Sequence, residues 1–284
     1  MAVRERGYEH WSGRLQEEGW RAWPIFSLGV KKVWHKRYAK LLLSSTAFPG
    51  LILLLLVIAL AKPELKLFTS QIKNMVDAQT MFYHYFANGF LSLMLVIVSI
   101  FSGSELISGD LQANAFPLYF SRPLARRDYL SAKIGAVFFF LVLPTFLPAV
   151  LVLAAIPTFS APLALSLRTI AGVMVFPLIL ALFFASFTLA VSIFTRSKRF
   201  SGLIIFLIYM ATDLIGTLSS ALLGKDGFLL FSIQKNISQA AAFVFTAKPP
   251  HDFPASWAFF FFPAMTLVCL FILDRVVRRF ETSR

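Results

Sequence analysis

Six runs of predominantly apolar residues, at about 41–61, 82–103, 134–156, 169–194, 201–223 and 257–273, decide what this chain can become. A helix needs roughly 20 such residues to cross about 30 Å of hydrocarbon. The expected fold is therefore all-α and integral to the membrane, with six transmembrane helices over 41–273. A segment 1–40 precedes them and a tail 274–284 follows. Composition agrees: 58% of residues are hydrophobic and 14% charged, where soluble domains carry about a quarter charged.

Lys and Arg collect in cytoplasmic loops, and that bias sets orientation. With the N-terminus inside, the pieces 1–40, 104–133, 195–200 and 274–284 hold 20 of the 27 Lys and Arg, and the outer pieces hold 7. Both termini are thus expected in the cytoplasm, and the chain is expected in the cell membrane. Most of the net charge of +13 then spreads along one membrane face, where anionic lipid headgroups are its counter-charge. That removes nucleic acid as the expected partner.

The first 40 residues are charged and lack a short apolar core, so no cleavable signal peptide is expected. They hold Trp11, Trp20, Trp23 and Trp34, a residue type that favours the headgroup region. With Lys31, Lys32, Lys36 and Arg37 nearby, 24–40 reads as an amphipathic helix on the inner surface; for 1–20 a disordered basic tail is the alternative. Pro49, Pro144, Pro148 and Pro177 fall inside the apolar runs and either shape packing or mark hinges. In the outer segment 224–256, the apolar residues from Phe228 to Phe243 predict a short helix resting on or dipping into the outer leaflet.

Metal and thiol chemistry find no support. Cys269 is the single cysteine, and His10, His35, His84 and His251 are scattered without ligand spacing. No phosphate-binding G-x-x-x-x-G-K-[ST] loop exists; the nearest stretch, from Gly216 to Gly224-Lys225-Asp226, has the wrong spacing and an Asp in place of Ser or Thr.

The segment 104–133 is far longer than a hairpin between two crossings needs. Its Leu106-Ile107, Leu111, Ala115-Phe116 and Phe120 recur at helical steps, Glu105, Asp110, Gln112 and Asn114 lie off that face, and Pro117 and Pro123 interrupt it. The residues predict a short amphipathic helix and turn, suited to docking into a groove of another protein; binding lipid headgroups through its arginines is the plainer reading.

This stretch resembles the first cytoplasmic loop of ABC-2 type transporter permeases. Asp110 stands at the acidic position, Asn114-Ala115-Phe116 replaces a Gly-containing step, and Leu118, Ser121, Pro123, Leu124, Arg126 and Lys133 match the remainder. The departures are the missing Gly at 114 and Gln112 where a second acid is common; Asn adopts the left-handed backbone more readily than most residues. The resemblance implies a permease subunit of an exporter, paired with a second copy or a paralogue and bound to two ATPase subunits. ATP and Mg would sit on those ATPases and no cofactor on this chain. Segment 104–133 would form the coupling helix, with Glu105, Asp110, Leu111, Asn114, Phe116, Ser121, Pro123 and Arg126 as its coupling residues.

Asp213 is the one Asp, Glu, Lys, Arg or His in the fifth run, and a charge there demands a partner or a polar cavity. The resemblance makes Asp213, with Thr217 beside it, a candidate for the translocation path. A structural Asp hydrogen-bonded to neighbouring hydroxyls is the equal alternative. Thr212, Gly216 and Ser220 form a small-residue ladder that suits close helix packing. Two other classes remain at this stage: a membrane anchor or maturation factor that moves no solute, and an integral-membrane lipid enzyme.

Overall fold

A computed structural model describes residues 22–62, 77–120, 124–159, 161 and 163–282. No strand occurs among them. Helix α1 spans Trp23–Trp34, with Pro24 in its first turn and Lys31 and Lys32 in its last, each at the end of the helix that suits it. Lys36 is extended (ψ 121°), so the chain breaks there and α2, Arg37–Ala61, starts afresh. The surface helix expected over 24–40 is therefore shorter, and Arg37, Tyr38 and Lys40 belong to the first crossing helix.

The second apolar run differs from the single crossing expected over 82–103. It contains two helices, α3 (Ala78–Ala87) and α4 (Gly89–Gln112). The cause is capping: the Asp77 carboxylate accepts from Thr80 N at 2.9 Å, and the Asn88 side chain accepts from Phe90 N at 2.8 Å, which satisfies two helix starts in succession. Crossing helix α4 consequently begins later and runs on to Gln112. Short helix α5 (Phe116–Phe120) follows, then α6 (Arg126–Thr158), 33 residues long.

Helix α7 (Leu167–Ser192) is capped by Ser166, and α8 (Lys198–Leu223) stops at the left-handed Gly224 (φ 61°). A 3-10 turn, Asp226–Phe231, leads into α9 (Ile233–Phe245), and α10 covers Ala255–Thr282. Among the described residues, six helices (α2, α4, α6, α7, α8 and α10) are long and apolar enough to cross a membrane.

Helices α4, α6 and α7 form the centre. Helices α2, α8 and α10 lie outside them and expose apolar side chains, among them Leu55, Leu207, Leu214, Leu218 and Phe271, as suits a surface facing lipid or another membrane subunit. Pro148 of α6 lies directly against Gly50 of α2, so close that a Cβ on Gly50 would overlap it. These two residues therefore set a helix crossing. At the other end, α9 is sunk into the bundle against α3, α7 and α10. The Phe245 ring stacks on Phe86 (centroids 5.5 Å), and Phe86 meets Phe176 edge-on at 5.3 Å.

Arg168, at the start of α7, fastens the last turn of α9. Its Nε donates to Val244 O at 3.1 Å, its Nη2 donates to Phe243 O, and the guanidinium lies over the Phe243 ring. Carbonyls at a helix C-terminus lack intrahelical partners and carry partial negative charge. Arg168→Ala is expected to destabilise the protein by about 1–2 kcal/mol, read as a lower thermal midpoint in detergent. Arg168→Lys should recover only part of the loss, because an ammonium lacks the planar fork.

Candidate functional site

The α4–α6 connection is built on the final turns of α4. The short amphipathic helix and turn expected within 104–133 take a different form: Glu105, Asp110 and Leu111 extend a crossing helix, and Phe116–Phe120 is a separate short helix. A rigid rod therefore runs from the bundle core to this connection.

Four groups hold the rod in place. Glu105 Oε2 accepts from Lys36 Nζ at 2.8 Å, and Glu105 Oε1 pairs with Lys32 Nζ at 3.3 Å, so α1 and the start of α2 are pinned to α4. Asp110 Oδ2 lies 2.7 Å from Lys133 Nζ and accepts from the Tyr129 hydroxyl at 2.7 Å. Lys133, only 7% exposed, also donates to Leu106 O at 2.8 Å. Its ammonium sits 5.4 Å from the Tyr129 ring centroid and 5.9 Å from that of Tyr119, where the ring faces add cation–π attraction. Outside the spans, burial and then the Asp110 charge push the Tyr119 hydroxyl above its ordinary pKa. The result is a buried ion pair with its hydrogen bonds made on both sides, the condition under which such a pair offsets its desolvation.

The remaining site residues fall around this knot. Leu111 and Phe116 are buried, Phe116 with its ring 5.5 Å from Tyr129. Asn114 is exposed and takes the left-handed backbone (φ 46°), the conformation that makes Asn an adequate substitute for Gly there. Arg126 Nη1 donates to Asp274 Oδ1 at 3.4 Å, joining α6 to α10. Ser121 and Pro123 lie outside the described residues.

Sequence reasoning missed Lys32, Lys36, Tyr119, Tyr129 and Asp274 as members of this site. The spacing of Lys32 and Lys36, one turn apart on the chain, was visible, but their common partner lies about seventy residues away.

A polar patch occupies the middle of α8. Asp213 Oδ1 accepts from the Ser232 hydroxyl at 2.6 Å. One turn earlier Tyr209 donates to Gln234 Oε1 at 2.9 Å, and Ser92 of α4 bonds to both Tyr209 and Gln234. Gly216 lies against Ser232 and Phe228 O, with room for no side chain without displacement, and Ser220 donates to Asp226 at 3.0 Å. The ladder of small residues thus packs on this chain's own 3-10 turn and the start of α9. Thr212 bonds back to Tyr209 O, and Thr217 is exposed.

A family model described as ABC-2 family transporter protein matches residues 38–273, most of the chain. The chain belongs to the ABC-2 transporter family. No curated protein matches it. As an ABC-2 protein with six apolar crossing helices it is a multi-pass membrane protein and the permease subunit of an ABC transporter, a class that works with separate ABC ATPase subunits.

Proposed function

We propose that this ABC-2 permease is half of an exporter in the cell membrane, with both termini cytoplasmic and the α4–α6 connection docked on an ATPase subunit that holds ATP and Mg. A second copy or a paralogue completes the translocation path. The observation that carries this reading is the anchoring of the connection. Glu105 and Asp110 stand on the end of a crossing helix and are tied to α1 and α6, so a push on the connection moves whole helices as rigid bodies. A loosely attached loop would absorb the same push. Asn114 presents the exposed tip, while Phe116 and Leu111 seat it.

Asp213 and Thr217 are assigned to the path on this reading. Asp213→Asn keeps the acceptor for Ser232 while removing the charge. Transport in proteoliposomes containing the permease and its ATPase is expected to fall several-fold at unchanged membrane level. Unchanged transport would take Asp213 off the path and leave it as a structural acceptor. The same vesicles test the whole function: ATP-dependent movement of solute supports the permease, and ATP hydrolysis without movement of any solute would favour the anchor or maturation role.

A further inference from the structure

Between α1, α4, α5 and α6 lies a cavity of 570 Å³, inside the range of about 300–1,000 Å³ typical of ligand sites. Pro24, Ile25, Leu28, Leu106 and Leu124 make its apolar walls, while Lys32, Asp110, Tyr119 and Lys133 supply polar groups. The wall and its immediate neighbours carry three ammonium groups (Lys32, Lys36 and Lys133) against two carboxylates (Glu105 and Asp110). One positive charge is in excess among these described groups. It falls toward Lys32, which is 51% exposed and holds Glu105 at the longer of that carboxylate's two lysine contacts. Lys133 spends two of its three donors on Asp110 and Leu106 O and stands in the same wall.

The surroundings indicate which ligand fits. Helix α1 exposes Trp23 and Trp34 beside Lys31, Lys36 and Arg37, the residue types that sit at a membrane surface. An apolar slot with cations at its rim, at that depth, matches a lipid that has acyl chains and a phosphate without a compensating ammonium. We infer that this groove binds one anionic glycerophospholipid, its phosphate on Lys32 and the near end of an acyl chain along Leu28, Ile25 and Leu106. The bound lipid would fill the space between the surface helix and the α4–α6 connection. Anionic headgroups would thereby stiffen the segment to which Glu105 is clamped. The inference rests on α1 lying at the membrane surface and is independent of ATP coupling.

The test uses the full chain purified in mild detergent without any ATPase, so its failure and a failure of the transport reading are separate results. The protein is incubated with equal amounts of phosphatidylglycerol and phosphatidylcholine of matched chains, and bound lipid is read by native mass spectrometry. One phosphatidylglycerol per chain is expected, retained at least fivefold over phosphatidylcholine. Lys32→Gln should abolish the preference, and Leu28→Trp, which fills the slot from an exposed position, should lower occupancy at least fivefold with the thermal midpoint unchanged. Ile25→Trp serves if Leu28→Trp does not reach the membrane.

Equal retention of both lipids, or occupancy indifferent to the blocking tryptophan, overturns the inference. So does displacement of the lipid by inorganic phosphate alone, which would mark a free-anion site. Crosslinking of residue 28 to residues 1–21 in place of lipid overturns it in favour of the chain's own N-terminal segment.

Discussion

Lys133→Met is expected to destabilise the protein by about 3–5 kcal/mol, the usual cost of stranding one member of a buried ion pair. Asp110 would keep the Tyr129 hydroxyl but lose the cation 2.7 Å away, in a position where its side chain is only 17% exposed. Asp110→Leu should cost a similar amount, because it leaves the Lys133 ammonium among Leu106, Tyr119 and Tyr129 with one carbonyl as partner. The double variant Asp110→Leu with Lys133→Met should recover most of either loss, since an apolar pair of similar size tolerates the site. Denaturation in detergent micelles of the four proteins gives the coupling energy directly. A coupling near zero would mean that the two residues are adjacent without depending on each other.

Glu105→Lys addresses motion more than folding. It puts a third ammonium beside Lys32 and Lys36, where one ion pair now holds α1 and another the start of α2 to α4. Like charges in contact repel as strongly as the pairs attract, so α1 should detach at this point. The contact of Gly29 with Ala136 and the T-shaped contact of Phe26 with Phe139 still hold it to α6. The expected outcome is a chain that reaches the membrane at near-normal level, with ATP-driven transport reduced at least tenfold. Glu105→Gln, neutral and able to accept one hydrogen bond, should fall between. Full transport by Glu105→Lys would show that the clamp plays no part in transmitting movement.

Much of the fold was legible because hydrocarbon leaves so few solutions. A run of about 20 apolar residues has to be a helix there, and the six runs match six helices, among the described residues, that are long and apolar enough to cross. The break at Asn88 escaped because hydropathy does not register it. The signal was local and polar, Asn88 before Gly89 and Asp77 three residues before Thr80, and only capping chemistry reads it. Helix α9 was expected as a short helix resting on or dipping into the outer leaflet; its depth in the bundle follows from Phe245 meeting Phe86 and Phe176, pairings across more than sixty residues that no periodicity encodes.

The site divides in the same way. The left-handed turn at Asn114 is a single-residue property and was readable. Asp110 and Lys133 were each recognisable as positions matching the family's loop, yet nothing in their spacing says that they touch. The hydroxyl partner of Asp213 was readable as a residue type, and its identity, Ser232, depends on the 3-10 turn that folds back over Gly216.

The central claim is that the α4–α6 connection is gripped by a separate ATPase. A photo-crosslinking amino acid at position 114, the exposed left-handed tip, tests it in the assembled complex. The account predicts a crosslink to the ATPase subunit that strengthens or shifts on ATP addition, and protection of the same position from a membrane-impermeant label applied outside the cell. Labelling from outside, or illumination that yields only lipid adducts in a complex shown to contain the ATPase, would contradict it.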